Sequence, residues 1–152
     1  MHDLFDIRLM LEPQICRAAS GRVDAERLRR TEALVTGRHD LDDRNSLETY
    51  VRANTLLHIG IAEYTGNQRL VQLMESILDE MERIMLLSYI LGDRQDSTDP
   101  DHGPLIDALE ANQPDLAEQI MHDQLMLNRT FVFDAFLSAP GVLQSVSIAS
   151  VP

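Results

Sequence analysis

Leu4, Ile7, Leu11, Ile15 and Ala18 recur at steps of three and four, the spacing of one face of an α-helix, and predict a first helix over about 3–20 ended by Gly21. Pro13 lies inside that stripe. An interior proline costs ~3 kcal/mol through a lost hydrogen bond and a ring clash, so it predicts a kink, or a restart with Pro13 in a first turn. Asp24 offers a cap for a second helix to about 36, and the polar stretch 37–44 joins it to a third. Asn45, with Glu48 three residues on, starts that third helix in the manner of a capping box; it runs to about 64, where Gly66 and Asn67 break it. The fourth spans 68–91, with Leu70, Leu73, Met74, Ile77, Met81 and Ile84 inward. Its last two turns are apolar on nearly every side, which predicts a cover of another helix or subunit. Turn-forming residues 92–101 lead to a short fifth helix over about 101–112, and Gln113-Pro114 opens a sixth that runs to about 137. Strict alternation is absent throughout, so the fold class is all-α. One helical domain over 1–138 is expected, followed by an irregular tail, 139–152, that is small, apolar and Ser-rich.

Length agrees with a single domain, 152 residues and 17.2 kDa. Charge narrows the function. The 13 basic residues are all Arg and face 25 acidic ones, a net charge of -12 that repels the phosphate backbone a nucleic-acid binder must neutralise. This segment alone is not expected to bind DNA. Cys16, the single cysteine, closes no internal disulfide, and no apolar leader precedes the first helix, so a reduced, cytoplasmic compartment is expected. The longest apolar run, 84–91, falls well short of the ~20 residues that cross a bilayer.

Polar side chains on apolar stripes carry the functional signal, because burying an unpartnered polar group costs on the order of 2–7 kcal/mol. Asn54 and His58 lie one turn apart on the stripe of Leu47, Val51, Ile61 and Ala62. His102 falls with Leu105, Ile106 and Leu109. Gln124 sits among Leu116, Ile120, Leu127 and Phe131, whereas His122 projects from the opposite side. Arg8, flanked by Leu4, Leu11 and Ile15, is the one cation in the set and demands an anion. Glu12 at i+4 is the plain partner; a ligand carboxylate taken in two parallel hydrogen bonds is the sharper one. Each residue alone is commonly a satisfied core group. Their convergence from several helices on a bundle interior points to a ligand-binding site made of Arg8, Asn54, His58, His102 and Gln124.

These residues, in this order, resemble the ligand-binding C-terminal (FCD) domain of FadR-type regulators in the GntR family. The resemblance rests on Leu4-Phe5-Asp6-Ile7-Arg8 ahead of Leu11-Glu12-Pro13, on Asn54-Thr55-Leu56-Leu57-His58 ahead of Gly66-Asn67, on His102 ahead of Leu105-Ile106-Asp107-Ala108-Leu109, and on Asp115-Leu116-Ala117 through Met121 to Gln124. It implies an antiparallel six-helix bundle that forms a homodimer, senses a small organic acid and modulates DNA binding by an N-terminal winged helix-turn-helix domain. That domain is missing from this chain, which suggests a fragment. It also implies, in many members, a divalent metal such as zinc or nickel held by an Asp, a His four residues later and two further His. The corresponding positions here are Asn54, His58, His102 and Gln124. Two neutral amides replace an anion and an imidazole, so metal affinity is expected to fall sharply, and metal-free recognition by the same side chains stands beside a metal completed by the effector's carboxylate.

No nucleophile elbow, phosphate-cradling glycine loop or Cys-x-x-Cys is present, which favours binding over catalysis. A metal-dependent hydrolase using His58 and His102 is the rival reading, weakened because inward Asp or Glu is missing from the same stripes as a general base. A ligand-free helical dimerisation module is the third.

Overall fold

The computed structural model describes residues 1–37, 39–40, 42–92 and 101–138. The expected loop residues 93–100 and the expected tail 139–152 lie outside the described residues. Six helices form among those described: α1 (His2–Ala19), α2 (Ala25–Val35), α3 (Arg44–Glu63), α4 (Gln68–Leu91), α5 (Gly103–Glu110) and α6 (Pro114–Ser138). No strand occurs among them. None of the helices is long and apolar enough to cross a membrane. α1 packs chiefly on α6, α3 lies between α2 and α4, and α5 sits against α2 and α6.

Helix ends follow local chemistry. Asp24 caps α2 by accepting the Arg27 N–H at 2.9 Å, and Asn67 caps α4 by accepting the Leu70 N–H at 3.2 Å. α3 begins earlier than the sequence pattern suggested. Its cap is Asp43, whose carboxylate accepts the Ser46 N–H at 2.9 Å, while Asn45 is already inside the first turn and Glu48 pairs with Arg44 rather than reaching back. α1 continues without a break through Pro13, so the helix does not restart there. α5 starts at Gly103, which makes His102 its N-cap residue instead of a first-turn position.

The apolar side chains form two clusters stacked along the bundle. One holds Ile15, Cys16, Leu57, Ile61, Met74, Leu105, Leu109 and Met121 among others. The other is built around Phe5, Val35, Leu47, Tyr50, Met81, Tyr89 and Val132. Between them α1, α3 and α6 contribute polar residues: Arg8 and Glu12 from α1, Asn54 and His58 from α3, Asn128 from α6. The polar layer is thus sandwiched between two greasy halves.

Two stripes differ from expectation. On α6 the buried residues are Ala117, Met121, Leu125, Val132 and Ala135, one position on from the predicted face, so Leu116 is half exposed and Leu127 is 65% exposed. A one-residue shift turns the face by about 100°. Small Ala117 and Ala135 let neighbouring helices approach closely, and leucines on both sides hid the true face. On α4, Leu73 is likewise exposed.

Gly21 closes α1 at φ 73°, and its N–H donates to the Leu109 carbonyl at 2.8 Å, tying α1 to the end of α5. A Cβ there would stand 2.7 Å from the Asn112 side chain. Gly21→Ala is expected to cost at least ~1–2 kcal/mol in urea denaturation, from the left-handed backbone alone; an unchanged midpoint would contradict this role.

Candidate functional site

One turn of α1 sets the centre of the layer. Arg8 and Glu12 are both buried and, four residues apart, lie on the same helix face. Arg8 Nε donates to Glu12 Oε1, and Nη2 approaches Oε2 at 3.5 Å. From α3, His58 Nδ1–H donates to Glu12 Oε2 at 2.5 Å. Burial by itself would push the Glu12 carboxyl up, but the Arg8 charge and, after it, His58 outweigh that and hold it down at about 2. The His58 pKa is lowered as well, but here burial is the leading cause. Burial lowers its pKa against the upward pull of Glu12, and Arg8 and His102 add to the lowering, so the ring is neutral at neutral pH.

A second carboxyl serves the second histidine. Glu32, buried on α2, accepts the His102 backbone N–H at 3.0 Å with one oxygen and the ring Nδ1–H at 2.8 Å with the other. This grip holds the start of α5 to α2 and leaves His102 1% exposed. The His58 and His102 rings meet edge to face, centroids 5.5 Å apart and planes at 89°. Among the described residues neither ring's Nε2 has a hydrogen-bond partner.

The amides complete the layer. Gln124 is half-buried and its Nε2 donates to the Asp101 carbonyl at 2.9 Å, next to His102. Its Oε1, Asn54 Oδ1 and Asn128 Oδ1 are buried with no partner. Arg8, Asn54 and Asn128, with Tyr50, Thr55 and Glu82, line a cavity of about 10 Å³, room for one water at most. His122 lies outside, half exposed beside Asp123. Cys16 is buried, and burial, then the nearby Glu12, pushes its thiol up, which makes it unreactive.

Arg8, His58 and His102 are therefore inward, as their stripes indicated, and Asn54 and Gln124 stand half-buried beside them. Arg8 takes the plain partner, Glu12. The stripes of His58 and His102 carry no inward acid, as expected; the acids beside the rings come from other helices, Glu12 from α1 and Glu32 from α2. Glu32 had a visible signal: it follows Leu28 by four and precedes Val35 by three, squarely on the buried face of α2. Asn128 had one too, standing one turn after Gln124. Among the described residues no three His, Cys, Asp or Glu side chains are grouped to hold a metal ion.

The family model described as the FCD domain matches residues 3–126. Comparison with curated proteins and with solved structures returns no match.

Removing one member of a buried ion pair strands the other charge at a cost of ~3–5 kcal/mol. Arg8→Met is expected to lose that much in urea denaturation, and Arg8→Met/Glu12→Gln to recover part of it, since the amide still accepts from His58; additive losses would refute the coupling. His58 generates a pH dependence. Its folded-state pKa lies below the ordinary 6.5, so its stabilising effect is full above 6.5 and is lost as pH falls through the depressed value. The urea midpoint should fall between about pH 7.5 and about pH 5.5, and His58→Gln should flatten that slope.

Proposed function

Because the chain belongs to the FCD domain family, the effector-binding regulatory part of GntR-type regulators, we propose that its polar layer is the effector site. The effector is a small organic acid. Its binding modulates an N-terminal winged helix-turn-helix domain that reads the state of the sensor, in a regulator of the FadR subfamily whose six helices form the antiparallel bundle of that group.

The observation that carries this reading is the set of three buried amide oxygens without partners, Asn54 Oδ1, Gln124 Oε1 and Asn128 Oδ1. Each such group left unsatisfied costs about 1–3 kcal/mol, a burden that a purely structural core avoids with apolar side chains. A guest that donates to them offsets it. Arg8 commits Nε and Nη2 to Glu12, which leaves Nη1 for the guest's carboxylate. The cavity at Arg8 holds no more than a water, so binding needs the helices to part, and an effector with differential affinity for the parted state shifts the population toward it.

A divalent cation fits this donor set on one condition. His58 and His102 offer two imidazole nitrogens, and Asn54 and Gln124 two amide oxygens with free lone pairs, a set that suits zinc or nickel weakly. Both buried glutamates are committed to Nδ1 atoms, so water or an effector carboxylate has to complete the shell. When bound, the ion would supply positive charge for that carboxylate. Hydrolysis finds no support in the same geometry, because neither glutamate stands free as a base beside an Nε2.

The homodimer forms through the end of α4, where Leu87, Ile90 and Leu91 remain exposed. In a thermal-shift and calorimetric screen of organic and sugar acids, with and without zinc or nickel, the true effector at 100 times its Kd should add ~2.7 kcal/mol of stability. A complete set of such acids that leaves stability unchanged rejects the site. Leu87→Glu/Ile90→Glu should convert a dimer to a monomer in sedimentation at micromolar concentration; a monomeric parent chain rejects the interface.

A further inference from the structure

Two buried carboxyl groups, Glu12 and Glu32, determine what the histidines can offer. A carboxylate only accepts hydrogen bonds, so the nitrogen facing it must carry the proton. Glu12 Oε2 faces His58 Nδ1 at 2.5 Å, and Glu32 Oε2 faces His102 Nδ1 at 2.8 Å. Both are buried, and both are fixed from a second side: Glu12 by Arg8 on its own helix, Glu32 by the His102 backbone N–H. Neither carboxylate can swing away without leaving another buried group unpaired. The protons are thereby confined to Nδ1, and the lone pair of each ring to Nε2.

The neighbouring uncommitted atoms have the same character. Gln124 anchors its NH2 on the Asp101 carbonyl, which leaves Oε1 as its free end beside His102. Asn54 Oδ1, one turn from His58, is also without a partner. The bare ring nitrogens and Gln124 Oε1 at this end of the layer donate electron pairs, while the one guanidinium shares the small cavity with Asn54 and Asn128.

We propose that Glu12 and Glu32 are positioning residues that lock His58 and His102 in the Nδ1–H tautomer, so that this end of the layer admits only an electron-pair acceptor. A divalent cation or a hydroxyl proton satisfies it; a bare carboxylate does not and is directed to the Arg8 end. Carboxylates that orient imidazoles in this way set the ring's direction and raise its basicity, and losing one typically costs 10–100-fold in cation affinity. The inference rests on reading the layer as the effector site, yet the tautomers can be read with no effector present.

The test is long-range ¹H–¹⁵N correlation on ¹⁵N-histidine-labelled protein near neutral pH, followed by titration with zinc chloride alone. Both buried rings should show a protonated Nδ1 and a bare Nε2, and zinc should shift both Nε2 resonances. In Glu32→Gln, whose amide can donate as well as accept, His102 should lose its single tautomer while His58 keeps its own, and zinc should bind 10–100-fold more weakly than to the parent chain. A protonated Nε2 on either ring in the parent protein overturns the proposal, whether or not the variant folds. Zinc that moves neither Nε2, or that binds parent and variant equally, overturns it as well. Failure of every organic acid to bind, with the tautomers as stated, would count against the effector reading and not against this one.

Discussion

A buried guanidinium beside a buried carboxylate is the constraint on which the rest of this bundle depends. Charges removed from water cost several kcal/mol each unless geometry and further hydrogen bonds compensate. Arg8 and Glu12 compensate one another across a single helical turn, and Glu12 has one oxygen left to take the His58 proton. That third bond crosses from α1 to α3 and gives the two helices a fixed register at the level of the polar layer. Apolar contacts above and below tolerate sliding, since oil is indifferent to small offsets. A 2.5 Å hydrogen bond to a charged oxygen does not.

The layer also explains why the core is split in two. Phe5 and Val132 lie on one side of it and Ile15 and Leu125 on the other, along the same helices that carry Arg8 and Asn128. A continuous apolar core of this size would be the more stable solution, because hydrophobic replacement of buried ion pairs is often neutral or favourable. The polar layer keeps three amide oxygens without partners, and it is on these that the proposed effector site rests.

How much of this was legible in the chain depended on contrast. The inward placement of Arg8, His58 and His102 was readable because each stands alone against aliphatic neighbours at helical spacing. α6 was misread by one position: Leu116, Met126, Leu127 and Leu137 decorate its exposed side, so hydrophobicity marks both faces, and the packing face is marked instead by small Ala117 and Ala135. Asn45 drew attention as a cap because Glu48 follows it at the right interval, but Asp43 lies two residues earlier with a better acceptor for the first free N–H groups. Glu32 escaped because charged residues crowd α2 on every side, and only its position between Leu28 and Val35 separates it from the solvated ones. Pairing between helices could not be read at all. That Glu32 meets His102 across 70 positions of chain follows from how α2 and α5 pack, not from any local pattern.

The two glutamate–histidine pairs are attached to different parts of the bundle, and this gives the site a way to be felt elsewhere. Glu12–His58 joins α1 to α3; Glu32–His102 joins α2 to the first residues of α5. The rings touch each other, centroids 5.5 Å apart, so the two joints meet at one point in the interior. Anything that draws either imidazole toward itself strains a short bond to a carboxylate that cannot follow alone: Glu12 is held by Arg8, and Glu32 by a backbone N–H at the start of a helix. The movement must then be taken up by whole helices. Packed interfaces resist gradual deformation and respond by changing between discrete arrangements. Under the proposed effector role, a guest with uneven affinity for those arrangements would convert a pull on two rings into a choice of helix packing.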